Sequence, residues 1–129
     1  MPPEGLPNNT QADAGVILLA AGGSARMGGD KMLLELSGRP VLDYSLETFQ
    51  RSDRVIAIVI VASDVNRNAI SDLVSNSDYD KVSAVVAGGA RRQDSTANGV
   101  DHLMGEHGSG IKFVVVHDGA RPFVDEAMI

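Results

Sequence analysis

Val16-Ile-Leu-Leu-Ala-Ala-Gly-Gly-Ser-Ala-Arg-Met-Gly28 decides how the rest of the chain is read. Its first six residues, Val16 to Ala21, form an apolar run of strand length that ends in glycine, which suits a strand covered on both faces in a parallel sheet. Three further runs repeat the pattern: Val55-Ile-Ala-Ile-Val-Ile-Val61, Val82-Ser-Ala-Val-Val86 and Phe113-Val-Val-Val116. Between them lie segments with helical spacing. Pro40 suits a first-turn position, and Leu42, Ser45, Leu46 and Phe49 follow at i, i+3, i+4 and i+7. Asp64 is placed to cap a second helix with Val65, Ala69, Ile70 and Leu73 on one side. Asp94 or Ser95 is placed to cap a third, with Thr96, Val100, Leu103 and Met104 as its apolar stripe. Strands joined by single helices need crossover connections, so the expected fold is α/β, a Rossmann-like three-layer sandwich with a mostly parallel sheet. The segment Val124 to Ile129 reads as the first turn of another helix, which makes the expected fold one that is truncated at its C-terminus.

The 129 residues suit one compact domain. Residues 1–14, with Pro2, Pro3 and Pro7, read as a disordered leader, and residues 15–129 as the domain. That leader has no positive segment followed by a long apolar one, so it is not a signal peptide. The longest apolar run, Val55 to Ala62, is less than half of the roughly 18 residues that a membrane span requires. Seventeen acidic residues against 11 basic ones give a net charge of −6, which argues against nucleic-acid or anionic-membrane partners. Cysteine is absent, which excludes disulfides, thiolate catalysis and Cys-ligated metal, and a cytoplasmic location is expected.

In open α/β sheets ligands bind beyond the carboxyl ends of the strands, where three glycine-bearing loops converge. The first, Gly22 to Lys31, offers backbone N–H groups to an anion, with Arg26 and Lys31 supplying charge. It is neither a P-loop, since Met32 follows Lys31 and leaves no hydroxyl for magnesium, nor a dinucleotide fingerprint, since Ser24 stands at the second glycine position. The second, Ala87 to Ser95, lets a base or ribose approach the backbone at Gly88 and Gly89, with Arg92 and Ser95 as hydrogen-bonding groups. A glycine turn leading into a capped helix explains its glycines equally well. The adjacent Arg91 and Arg92 fit that plainer reading less well, because positive charge opposes the dipole at a helix N-terminus. In the third, Asp118 suits a ribose hydroxyl or a hydrated Mg2+, and Arg121 a phosphate, although an Asp–Arg pair bracing the loop is the competing explanation. His117 lacks neighbouring ligand candidates and reads as structural.

Taken together, Leu19 to Gly28 with Lys31, Gly88-Gly-Ala-Arg-Arg-Gln-Asp-Ser95 and His117-Asp-Gly-Ala-Arg-Pro122 resemble the 2-C-methyl-D-erythritol 4-phosphate cytidylyltransferases. The resemblance runs over residues 16–129. It implies transfer of CMP from CTP to a polyol phosphate with release of diphosphate, with Mg2+ as cofactor and a homodimer in the full-length family. It also implies roles. Arg26 and Lys31 would stabilise the pentacovalent transition state, and Ala20, Ala21, Gly22 and Gly23, with Gly89, Arg92 and Ser95, would hold the nucleotide. Asp118 would lie near the ribose, with Mg2+ held through water, and Ala120 and Arg121 near the substrate phosphate. Ser24 departs from the family's usual Gly and Asp30 from its usual Pro. The family's later residues, which position the acceptor, have no counterpart here, so CTP–Mg2+ binding with weak or absent turnover is expected of these 129 residues. Ribitol-5-phosphate cytidylyltransferases share all three motifs, and a non-catalytic nucleotide-binding module is the alternative from another class. A molybdopterin guanylyltransferase shares the first loop but matches the other two poorly.

Overall fold

The computed structural model describes residues 12–21, 35, 36, 38–89, 91–107 and 110–118. Strand β1, Ala14–Ala20, is followed by the two-residue strands β2, Glu35–Leu36, and β3, Arg39–Pro40, which pair antiparallel. Helix α1, Val41–Arg51, leads to β4, Val55–Ala62; α2, Arg67–Ser75, to β5, Val82–Ala87; and α3, Arg92–His107, to β6, Phe113–Asp118. The four longer strands form one parallel sheet in the order β5-β4-β1-β6. The expected α/β architecture is therefore the observed one.

Burial divides the helices between the two faces of this sheet. Val16, Leu18 and Ala20 of β1 pack with Ile58, Ile60 and Ala62 of β4 against Leu42, Leu46 and Phe49 of α1 and Ile70 of α2. The alternate residues Ile17, Leu19, Val59 and Val61 face Leu103 of α3. The chain steps from β1 to β4 to β5 through helices on one face, then returns past β1 to β6 through a helix on the other. Crossovers of one hand require that change of face when the direction of travel reverses. The reversal beside β1 is the topological switch point, where such sheets open a crevice at their carboxyl ends.

Among the described strands, the expected double burial holds for the central β1 and β4 and fails for the outer β5 and β6. All seven residues of β1 are buried, whereas Phe113 and Val116 of β6 are 55% and 41% exposed. An apolar run carries no mark of central or edge position, because that depends on which strands pair. The fold also takes in the end of the stretch read as a leader. The Asp13 carbonyl accepts from the N–H groups of Lys112 and Phe113, and the Asp13 carboxylate pairs with Arg54 at 3.1 Å. Among the described residues no helix is long and apolar enough to cross a membrane. The helical turn expected at Val124 to Ile129 lies outside the described residues.

Two helix readings need correction. Asn66, not Asp64, is the N-cap of α2, and Val65 is 79% exposed instead of lying on the core side; Ala69 is exposed as well. Helix α3 starts at Arg92, ahead of both expected caps; of the expected stripe Leu103 is buried and Val100 packs against the core, but Thr96 is only half-buried and Met104 is exposed, and the fully buried positions are Ser95, Gly99 and Leu103. The cause is Gly99. A Cβ there would stand 2.8 Å from Ile17 Cγ2 and 3.0 Å from Val61 Cγ2, so the helix backbone itself is seated on β1 and β4. Helix α1 follows its reading closely, with Leu42, Ser45, Leu46 and Phe49 buried and Pro40 one position earlier, at the N-cap.

A polar network braces α1 from outside. The Arg39 guanidinium donates to Asp43 (2.8 Å) and Glu47 (3.0 Å), and the Tyr79 hydroxyl donates to Asp43 Oδ1. The hydrogen bond to Asp43 holds Arg39 charged beyond its usual range. Burial, then the Asp43 carboxylate, pushes the Tyr79 phenol well above its ordinary value.

Two outcomes are expected. Gly99→Ala gains about 1 kcal/mol of helix propensity but overpacks two β-branched side chains at about 1–3 kcal/mol, so urea midpoints should fall. Because the neutral Tyr79 phenol is favoured in the folded state, its contribution of about 1 kcal/mol is present below the ordinary phenol value of about 10 and is lost as pH rises beyond it. Tyr79→Phe should therefore destabilise at pH 7 and remove that component of alkaline destabilisation, measured by thermal melts from pH 7 to 11.

Candidate nucleotide site at the carboxyl edge of the sheet

Register brings the strand exits together. Ala20 of β1 pairs with Ala62 of β4, and Ala62 with Ala87 of β5, while on the other side Leu19 pairs with Asp118 of β6. The strand exits thus lie side by side on one edge. Direct contacts tie the second loop to its neighbours: the Gly88 N–H donates to the Ala62 carbonyl (2.9 Å) and the Gly89 N–H to Ser95 Oγ (3.1 Å). Gly88 is wedged so tightly that a Cβ would lie 2.7 Å from both Ala21 Cβ and Ser95 Oγ. Ala21, Gly88 and Ser95, from three separate segments, therefore meet at one point. The seat of Gly99 on the sheet is what brings Ser95, one helical turn earlier, down to that point.

The plainer reading accounts for part of the second loop. Arg91 is the residue before α3, and Asp94 accepts from both its backbone N–H and its guanidinium, each at 3.3 Å. An acidic residue three positions into a helix that reaches back to the cap N–H is half of a capping box. Arg91 is thereby charge-compensated within the chain and needs no bound anion. His117 also takes a structural place, its ring set edge-on to Phe49 at 5.4 Å between centroids.

Asp118 ends β6 half-buried, beside Leu19 on the switch-point side. Among the described residues no three His, Cys, Asp or Glu side chains cluster as a metal cage. A single hard carboxylate at the crevice still fits Mg2+, which keeps several waters and takes its remaining ligands from substrate phosphates.

The family model described as 2-C-methyl-D-erythritol 4-phosphate cytidylyltransferase (IspD) matches residues 14–129. The chain belongs to this family. It is 40% identical over 116 residues to the cytidylyltransferase of that name from Dehalococcoides mccartyi, a match covering 89% of this chain and 49% of the relative. A second, from Geobacillus kaustophilus, is 41% identical over 110 residues, covering 84% and 46%. The crystal structure of 4-diphosphocytidyl-2C-methyl-D-erythritol synthase from Anaerococcus prevotii superposes with a TM-score of 0.73 at 28% identity, covering 91% of this chain and 48% of that one. The chain spans about half the length of the curated cytidylyltransferases it matches.

Of the residues expected at the site, Ala20, Ala21, Gly89, Ser95 and Asp118 lie on this carboxyl edge, and Arg92 begins α3 beside them. Gly22, Gly23, Arg26, Lys31, Ala120 and Arg121 lie outside the described residues. Sequence reasoning missed Asn66, which is 1% exposed at the exit of β4 and donates from Nδ2 to the Ala20 carbonyl at 2.8 Å. A short amide four residues beyond a strand end was its one available signal. Gly88→Ala is expected to force Ala21 and Ser95 apart. It should weaken CTP binding measured by calorimetry about tenfold or more, with circular dichroism unchanged at 25 °C.

Proposed function

We propose that this chain holds CTP, carried with Mg2+, at the carboxyl edge of the β5-β4-β1-β6 sheet, and that it serves transfer of CMP to 2-C-methyl-D-erythritol 4-phosphate. The observation that supports this most is the family match over residues 14–129, on a chain whose strand exits converge where the family motifs lie. In the reaction a phosphate oxygen of the polyol phosphate forms a bond to the α-phosphorus of CTP. The bond from that phosphorus to the bridging oxygen breaks, and diphosphate leaves with the electron pair. The nucleophile is already an anion, so no base is required, and the demand is for positive charge around the α-phosphate.

Arg26 and Lys31 are the residues proposed to meet that demand. Backbone N–H groups from Ala21 to Gly23 and the groups of the second loop, Gly89, Arg92 and Ser95, would orient the nucleotide. Ala120 and Arg121 would face the acceptor phosphate. Bound Mg2+ would neutralise phosphate charge and polarise the reacting phosphoryl group, with Asp118 as its carboxylate contact through water.

Calorimetry of the chain with CTP and with GTP, each with Mg2+, is expected to show CTP bound at least about tenfold more tightly, a difference near 1.4 kcal/mol. Preference for GTP would overturn the assignment. In a chain completed to the length of its relatives, diphosphate release should be faster with methylerythritol phosphate than with ribitol 5-phosphate, and the reverse order would assign the acceptor to ribitol. In that completed chain Lys31→Ala should reduce kcat by about 100-fold or more with CTP affinity changed only a few-fold, whereas equal loss of both would mark a binding module.

A further inference from the structure

Asn98 is the one asparagine in the sequence that glycine follows. Asparagine is a thermolabile residue, and it is most so before glycine, which has no side chain to shield its own nitrogen. In that pair the Gly99 nitrogen can attack the Asn98 carboxamide carbon. A bond forms between that nitrogen and Cγ, and the Cγ–Nδ2 bond breaks. Ammonia leaves with the electron pair and with the proton that the Gly99 nitrogen gives up. Water then opens the cyclic imide at either carbonyl. One opening leaves aspartate, and the other leaves isoaspartate, whose main chain runs through Cβ and is longer by one carbon.

Both residues stand inside α3, Arg92–His107, and the helix opposes this reaction. An interior helical N–H donates to the carbonyl one turn back, so the Gly99 nitrogen is engaged along the axis toward Ser95 and not toward its neighbour's side chain. Ring closure needs that nitrogen swung into line with Asn98 Cβ, which a helical ψ of about −42° does not allow. Gly99 cannot swing alone. Its backbone is seated on β1 and β4, where a Cβ would stand 2.8 Å from Ile17 Cγ2 and 3.0 Å from Val61 Cγ2. The carboxamide is tethered too, since Asn98 Nδ2 donates to the Ala87 carbonyl at 3.2 Å. Asn98 is nevertheless exposed, so water reaches it and the protection comes from conformation instead of burial.

We propose that Asn98-Gly99 is a deamidation site held shut by α3, and that its modification is a one-way exit from the fold. The pair reacts only in molecules whose α3 has opened, so its rate measures that opening. The isoaspartyl chain does not regain the same seat. Ser95 accepts from the Gly89 N–H on one side of the pair, and Leu103 packs into the core on the other. An extra main-chain carbon between them shifts one or the other out of register. Neither step depends on a bound nucleotide.

Asn76, the exposed C-cap of α2, supplies an internal reference, because Ser77 follows it and hinders its own nitrogen more than glycine does. The experiment incubates the chain in buffer and in urea and follows conversion at each asparagine by peptide mapping with mass spectrometry. In urea Asn98 is expected to convert faster than Asn76. In buffer Asn98 is expected to be slowed by about 100-fold or more, because only the open fraction reacts. Slowing by less than that, or an Asn98 no faster than Asn76 in urea, would overturn the gating. Refolded chains that carry isoaspartate at position 98 should have a lower urea midpoint than unconverted ones. Asn98→Gln, whose longer side chain closes a ring less readily, should keep its own midpoint through the same incubation. An unchanged midpoint in the isoaspartyl chain, or an equal loss in Asn98→Gln, would overturn the one-way exit.

Discussion

Pairing of β1 on both of its edges, to β4 through Ala20 and to β6 through Leu19, is the constraint on which the rest of the molecule depends. A strand paired on both sides and buried on both faces cannot slip without breaking two ladders and exposing a core. Its register therefore fixes where the neighbouring strands end. The exits of β1, β4 and β5 come out level on one edge, set there by hydrogen bonding within the sheet.

Close approach then refines what register delivers. Gly99 lets α3 sit on Ile17 and Val61, and this places Ser95 within reach of the Gly89 N–H and against Gly88. Asn66 ties the end of β1 to the turn before α2, since its carboxamide donates to the Ala20 carbonyl and accepts from the Ser63 N–H. Contacts from two helices thus brace the strand exits, and backbone donors act on a ligand only when they are rigid and correctly aimed.

Membership in the cytidylyltransferase family gives these features a common purpose while leaving them chemically ordinary. Arg91 illustrates the point. Beside Arg92 at the start of a helix it invites a phosphate, yet Asp94 neutralises it locally. Asp118 shows the opposite case, a carboxylate at a strand end that no cluster of further acids surrounds among the described residues. On the proposed nucleotide reading, that suits a metal carried with the nucleotide better than one held in a protein cage.

The apolar runs at Val16, Val55, Val82 and Phe113 and the spacing of Leu42, Leu46 and Phe49 were enough to give strands, helices and their alternation, because burial period is written directly in residue order. The loop motifs were likewise legible, since glycine and charge at fixed spacing are local properties. The N-cap of α2 was misread at Asp64 and the buried face of α3 at Met104, and Asn66 was missed altogether. Each of these depends on a partner distant in sequence: the Ala20 carbonyl for Asn66, and Ile17 and Val61 for Gly99. Sequence alone determined which elements form and which chemistry their loops carry. Only the tertiary structure decided the order in which the strands pair, which helix face is buried and which polar group meets the end of β1, because those follow from pairing and close contact between segments that residue order does not bring together.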